Sequence, residues 1–155
     1  MRTNTLRVIL ALAAVTICFG TSSSRLTFAG GQKSSELAGT TWQLVKLQGP
    51  DDTTSVPDDK SKYTIRFGTD GRVSVRVDCN HGGSSWKSAS AGDLHFGSWS
   101  MTRAKCPPGS LHDQIVNEGA NVRSYVIKDG HLFLTGMAAG GYYELEPITT
   151  QKRRS

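Results

Sequence analysis

From Trp42 onward, apolar and polar residues alternate in short runs broken by turn chemistry, which is the period-two signature of half-buried strands. Tyr63, Ile65 and Phe67 alternate with Thr64 and Arg66. Beyond Asp70-Gly71, Val73, Val75 and Val77 alternate with Arg72, Ser74 and Arg76. Three inward residues on each side of a tight Asp-Gly turn predict a hairpin, because glycine tolerates positive φ there. Upstream, Leu37-Ala38-Gly39 precedes a first strand carrying Trp42, Leu44 and, after a slip of register, Leu47. Gly49 to Lys60 is rich in Asp, Thr and Pro and reads as a polar loop. The Gly/Ser-rich stretch that holds Trp86 also reads as a loop. Leu94 and Phe96 open a strand toward Trp99 and Met101, and Pro107-Pro108 stops it, since proline cannot donate to a ladder.

The period then changes. Leu111, Ile115, Val116 and Val122 fall near helical spacing, with Ser110 placed to cap the helix and Gly119 weakening its later part. Tyr125 and Ile127, then Asp129-Gly130, then Leu132 and Leu134, predict a second hairpin. A Gly-rich turn through Gly140 and Gly141 leads to a last strand with Tyr143 and Leu145. The sum is one α+β domain of about seven or eight antiparallel strands. A strongly curved sheet or cracked small barrel, with one packed helix, would bring the apolar faces together.

The amino terminus has a different character. Arg2 and Arg7 precede an apolar run of twelve residues, Val8 to Phe19, and a looser Gly/Ser/Thr stretch follows. Such a run is too short to span a bilayer, which takes about 20 residues. Residues 1–29 therefore read as a secretory signal, cut after Ala29 or nearer Ser22 to Ser24, followed by a domain over 36–147 and a basic flexible tail over 148–155. An alternative is a lipoprotein anchored through Cys18, although Ile17 is a poor residue before a lipidated cysteine. The expected location is periplasmic or secreted, with no transmembrane segment in the mature chain.

Removal of the signal changes the charge. Of 18 basic residues, Arg2, Arg7 and Arg25 leave, so 15 face 13 acidic ones. Lys152, Arg153 and Arg154 lie in the tail, which leaves 12 against 13 in the body. A nearly neutral body speaks against a nucleic-acid partner, which calls for a concentrated basic face. The mature chain has room for one small core, and a monomer is expected.

Two cysteines remain in the body. Cys79 lies in Val77-Asp78-Cys79-Asn80-His81 and Cys106 ends Thr102-Arg103-Ala104-Lys105-Cys106. An even pair in an exported chain reads first as a disulfide. The rival is zinc held by Cys79, His81, Cys106 and His112, but those spacings match no common structural motif. Two free thiols are the third possibility. A cysteine nucleophile with His81 or His112 as base would need a reduced thiolate, which an oxidising compartment disfavours. His95 and His131 fall at exposed strand phases. Asp51, Asp52, Asp58 and Asp59 lack ordered calcium spacing and read as solvated acids. No cofactor and no metal is expected.

In their order, these motifs resemble the META/HslJ family of bacterial exported domains. The resemblance rests on Gly39-Thr40-Thr41-Trp42, the Phe67 to Val73 hairpin, Cys79-Asn80, Thr102 to Cys106 and the closing hairpin from Tyr125 to Leu134. It departs at Asp78, where glycine is usual, at Trp86, where tyrosine is more common, and at the extra Thr41. It implies a cracked barrel with a helix against it, an extracytoplasmic setting and an association with heat or antibiotic stress and with virulence. The family offers no established catalytic residue to carry over.

The resulting expectation is a non-enzymatic domain that binds an envelope protein or envelope component and supports stress tolerance. Its candidate surface is an exposed Trp86 beside Arg76, Lys87, Arg103 and Lys105. Asn80 reads chiefly as a turn former beside the disulfide, with ligand contact as its alternative role. Two other functions remain open: a barrel carrier for a small apolar ligand such as an acyl chain, and an inhibitor of a hydrolase. The carrier needs interior space that Tyr63, Phe67, Phe96 and Tyr143 could fill.

Overall fold

The structure is a computed structural model that describes residues 36–49, 51–136 and 140–149. The expected signal segment, Cys18 and the last six residues of the basic tail lie outside the described residues.

Ten strands and one helix follow in chain order: β1 (Thr41–Gln48), β2 (Thr54–Ser55), β3 (Tyr63–Phe67), β4 (Arg72–Val77), β5 (Asn80–Lys87), β6 (His95–Phe96), β7 (Ser100–Met101), α1 (His112–Gly119), β8 (Ser124–Lys128), β9 (His131–Thr135) and β10 (Tyr142–Pro147). The strands form an antiparallel sheet in the order β6-β5-β4-β3-β1-β10-β9-β8, with β2 on β1 and β7 on β5. Its two ends meet. Asp93, just before β6, bridges to Ser124 of β8. The Leu94 N–H donates to the Arg123 carbonyl and the Tyr125 N–H to the Gly92 carbonyl, each at 2.9 Å. The sheet is thus rolled into a nearly closed barrel.

Local chemistry accounts for each expected hairpin. Phe67 opposes Val73 across Asp70-Gly71, where Gly71 takes φ +76°. Lys128 opposes His131 across Asp129-Gly130, and both turn residues have positive φ, as a two-residue hairpin of this hand requires. The slip of register in the first strand is a real bulge: the pairing of β1 with β10 shifts between Leu44 and Lys46. That extra residue lets Leu47 rejoin Trp42 and Leu44 on the inner face, all three buried. Asp78 replaces the usual glycine in the β4–β5 turn and adopts φ +54°, a conformation aspartate tolerates better than most residues.

The Gly/Ser stretch expected as a loop is instead a full strand. β5 pairs with β4 along its whole inner half, from Val77 opposite Asn80 to Arg72 opposite Ser85. Its small residues have a steric cause. A Cβ at Gly82 would stand 2.3 Å from Met101 Cγ and 2.7 Å from the Ser100 carbonyl oxygen, because β7 crosses there. Close approach of a second backbone is a standard reason for glycine inside a strand.

The core consists of inward residues from every long strand, with Leu37, Leu47, Phe67, Leu94 and Leu132 fully enclosed. Phe67, Trp86, Phe96 and Trp99 form an aromatic chain; Phe67 meets Trp86 edge-on at 5.2 Å and Phe96 meets Trp99 at 5.1 Å between centroids. The helix is less embedded than the long strands. None of its residues is fully buried, and Val116 is 39 % exposed. Among the described residues no helix is long and apolar enough to cross a membrane.

Candidate functional site

Two places in the barrel combine polar chemistry with burial. The first is the disulfide end. Cys79 and Cys106 are bonded, with Cα atoms 5.5 Å apart. Both sulfurs are therefore consumed, which removes the zinc, free-thiol and nucleophile readings for these two residues. Asn80 sits beneath them with no exposed surface. Its Oδ1 accepts from the Ala104 N–H and the Thr102 hydroxyl, both at 2.8 Å. Its Nδ2 donates to the Ala104 carbonyl at 2.9 Å and lies 3.3 Å from Cys106 Sγ. The amide thus completes, by side chain, the ladder that β5 would have made with the 102–106 segment. Every bond runs within the chain, so Asn80 is a structural tie rather than a contact waiting for a ligand.

The expected interaction surface does not assemble around Trp86. That residue is 9 % exposed, points inward from β5 and donates its indole N–H to the Gly68 carbonyl at 3.2 Å. The reading of Trp86 as exposed is corrected: it took the surrounding Gly and Ser for a loop, whereas strand alternation turns even-numbered positions of β5 inward. Arg76, Lys87, Arg103 and Lys105 are all exposed. Arg76 pairs across from His81 near the disulfide, whereas Lys87 lies opposite His95 at the other end of β5. Six residues of strand separate the two pairings, about 20 Å at ~3.3 Å per residue. Arg76, Arg103 and Lys105 share one end of the barrel and Lys87 does not.

The acidic loop residues are used locally. Asp58 pairs with Lys62 at 2.6 Å, Asp59 accepts from the Ser61 N–H at 2.9 Å and Asp51 accepts from the Thr53 hydroxyl at 2.6 Å. These donors hold all three carboxyls below the usual range, with Lys62, Ser61 and Thr53 the main cause for each in turn. The histidines are similarly engaged: His131 Nδ1 lies 2.9 Å from Glu144 and His95 Nε2 lies 3.0 Å from Asp93.

The second place is the space between the sheet and α1. A half-open, mainly apolar pocket of about 160 Å³ lies there, walled by residues including Leu44, Ile65, Val75, Arg76 and Leu145 from the sheet and Ile115 and Val116 from the helix. The large aromatics expected in the interior are there: Tyr63, Phe96 and Tyr143 line this pocket, and Phe67 packs against Trp86 and Phe96 at one side. The helix crosses the space as a strap. At its start, the Leu111 N–H donates to the Tyr63 hydroxyl at 3.1 Å and the His112 N–H to the Ser110 hydroxyl at 3.1 Å, so Ser110 supports the first turn as expected. Beyond its end, Val122 is 1 % exposed and anchors the chain into β8. Gly119 also lines the cavity, and a Cβ there would meet only the Tyr143 hydroxyl, at 3.9 Å.

Polar atoms in this region are not all satisfied. Among the described residues, Trp99 Nε1, Glu118 Oε2 and the Tyr143 hydroxyl are buried without a hydrogen-bond partner. Trp99 and Tyr143 belong to the cavity wall. Burial, reinforced by the negative charge of Glu118, pushes the Tyr143 phenol well above its ordinary pKa, so it remains a proton donor at any physiological pH. The sequence reading places Trp99 and Tyr143 among core positions and Glu118 on the outer face of the helix; the last is corrected, since Glu118 is only partly exposed and its Oε2 is buried. The available signal was a tyrosine, rather than a phenylalanine, at an inward strand phase, since a buried hydroxyl needs a partner.

Two solved structures share the fold. An NMR structure of a protein from Burkholderia xenovorans superposes with TM-score 0.62 at 20% identity, covering 74% of this chain and 85% of that one. A DUF4847 family protein from Bacteroides vulgatus superposes with TM-score 0.53 at 14% identity, covering 75% and 97% respectively. At such identities the likeness speaks for architecture alone. A sequence search of curated proteins returns no match. The META domain profile matches residues 35–147, nearly all of the described chain, so this protein belongs to the META domain family.

Proposed function

We propose that the domain is a non-enzymatic binding protein of the extracytoplasmic space, and that its ligand is a small apolar molecule held in the cavity beneath α1. The observation that carries this reading is the pocket itself: about 160 Å³ of space with a mainly apolar lining, half open to solvent between the sheet and α1. Apolar lining left partly in water is surface whose burial by an apolar ligand is favourable. A buried apolar cavity of ~150 Å³ is already enough to take up benzene. The strap-like helix, tethered at both ends and fully buried nowhere, supplies a wall that can yield. The volume suits one ring or a short chain better than a long acyl tail. The disulfide and the family membership accord with export, and a tolerance role in envelope stress follows if the ligand is a small toxic or signalling molecule.

The test is direct binding. Titration with α-methylstyrene, followed by NMR, should saturate and shift the resonances of Ile115, Val122 and Leu145, with a rise in Tm by mass action. Gly119→Leu, which directs a side chain toward the Tyr143 hydroxyl, should abolish uptake in a folded protein. Non-saturating shifts, or binding unaffected by Gly119→Leu, would sink the reading.

A further inference from the structure

A second recess lies on the opposite face of the same strands and is independent of the pocket beneath α1. The alternation that turns Ile65, Val73 and Val75 toward the core turns Arg66, Arg72 and Ser74 outward, and all three are exposed. A half-open groove of about 940 Å³ is lined by these residues together with the Gly68 to Gly71 turn, Ser85 and Ser98. Its layout follows from the register. Arg66 stands opposite Ser74 on β4, Arg72 stands opposite Ser85 on β5, and Ser74 faces Gly83, which brings no side chain. Diagonal neighbours of this kind lie about 7–8 Å apart, so Arg66 and Arg72 flank one open patch of sheet. We propose that this groove binds an acidic saccharide, a hydroxylated body whose carboxylate groups pair with Arg66 and Arg72.

Charge is the first support. Among the described residues neither guanidinium has a carboxylate partner, although Lys46, Lys60 and Lys62 each form an ion pair elsewhere on the barrel. Like charges that share a sheet face repel, and an anion placed between them relieves that repulsion. Asp70 is the one acid among the described lining residues. Its Oδ1 accepts from the Arg72 N–H at 3.1 Å to close the hairpin, and the groove keeps a net positive charge. The planar fork of arginine suits a carboxylate, which accepts two parallel N–H bonds from it. Hydroxyls are the second support. The exposed side chains of Ser74 and Ser85 have no protein partner among the described residues, and Thr69 lines the same groove. They match a ligand that is itself covered in hydroxyls. The strands also disfavour other occupants. β3 is hydrogen-bonded to β1 and β4, and β4 to β3 and β5, so no free backbone edge is left here for a peptide to extend. No aromatic ring is among the described lining residues, which removes the stacking platform that single-stranded nucleic acids use.

The test is titration of the disulfide-bonded protein, at neutral pH and low salt, with trigalacturonate, maltotriose, triglutamate and inorganic phosphate, followed by NMR. Trigalacturonate should saturate, shift the amides of Arg66, Ser74 and Ser85, and bind more weakly as salt is raised. Maltotriose, which has the hydroxyls without the charge, should bind at least about tenfold more weakly. Arg66→Gln and Arg72→Gln should each weaken trigalacturonate about fivefold, the scale of one exposed ion pair, and Ser74→Glu should abolish binding. Lys128→Gln, which removes an exposed charge of β8 outside the groove, should change nothing. Failure of trigalacturonate to saturate, equal binding of maltotriose, or an equal loss on Lys128→Gln overturns the proposal. Tighter binding of triglutamate overturns it in favour of an acidic peptide, and tighter binding of inorganic phosphate in favour of a bare anion site. Uptake of α-methylstyrene should be the same in Arg66→Gln and the wild type, so the groove and the pocket beneath α1 stand or fall separately. The wild-type comparison of the four probes needs no variant, so poor folding of a variant leaves the test intact.

Discussion

The two polar sites of this barrel are built on opposite principles. At the disulfide end, Asn80 is fully enclosed and its amide oxygen and nitrogen are both engaged, through Thr102 and Ala104. Under α1, a hydroxyl, an indole N–H and a carboxylate oxygen are enclosed and engaged by nothing. The first arrangement minimises free energy; the second does not. Residues kept in an unfavourable state within an otherwise consistent fold are where function is expected to reside. Stability is thus concentrated near Cys79 and Cys106, and the proposed binding site lies beside the less satisfied region around Tyr143.

That contrast can be broken in graded steps. The largest effect should come from Cys79→Ala/Cys106→Ala. The bond joins residues 27 positions apart, and loss of its closure should cost about 3.5 kcal/mol by chain-entropy reasoning. Urea titration of the double variant against the parent measures it, and a change under about 1 kcal/mol would mean that the hydrogen-bonded segment holds without the bridge. Asn80→Ala comes next, at about 2 kcal/mol, because it removes the hydrogen bonds that a fully enclosed amide makes to Thr102 and Ala104. A cost no larger than that of a surface substitution would show that solvent can replace the amide.

Changes at the other site should run the opposite way. Tyr143→Phe removes an unpaired hydroxyl and should leave stability unchanged or raise it by about 1 kcal/mol at neutral pH. The pH dependence sharpens this. The folded phenol is raised above the ordinary value by burial, and the unfolded one is not. Its contribution is therefore fully present below about pH 10 and is lost as pH climbs beyond, because only the unfolded chain releases the proton. Denaturation midpoints should fall more steeply above about pH 10 in the wild type than in Tyr143→Phe. Parallel curves would mean that this hydroxyl reaches solvent.

Much of the architecture is readable along the chain, for physical reasons. Alternation from Tyr63 to Val77 and the Asp-Gly turns encode hairpins locally, and even the bulge between Leu44 and Lys46 is visible as a break in period. The cysteine pairing follows from compartment and parity. β5 is hidden because its strand character comes from its neighbours. Gly82 and Gly83 carry no alternation, and the crossing of β7 that requires them is a tertiary event. Misreading β5 also misplaced Trp86. The cavity is hidden for a different reason: it is a difference between summed side-chain volumes and the space a closed barrel provides, which no single position records.

The join between Asp93 and Ser124 carries a consequence for how this shell breathes. There the ends of the sheet meet through two backbone bonds flanking one bridged position, whereas β3 and β4 share five paired positions. Local opening follows the weakest cooperative unit, so amide protons of Leu94 and Tyr125 should exchange ahead of those between β3 and β4. The wall should unzip first along that line while the sulfur bridge keeps the Cys79 end in register.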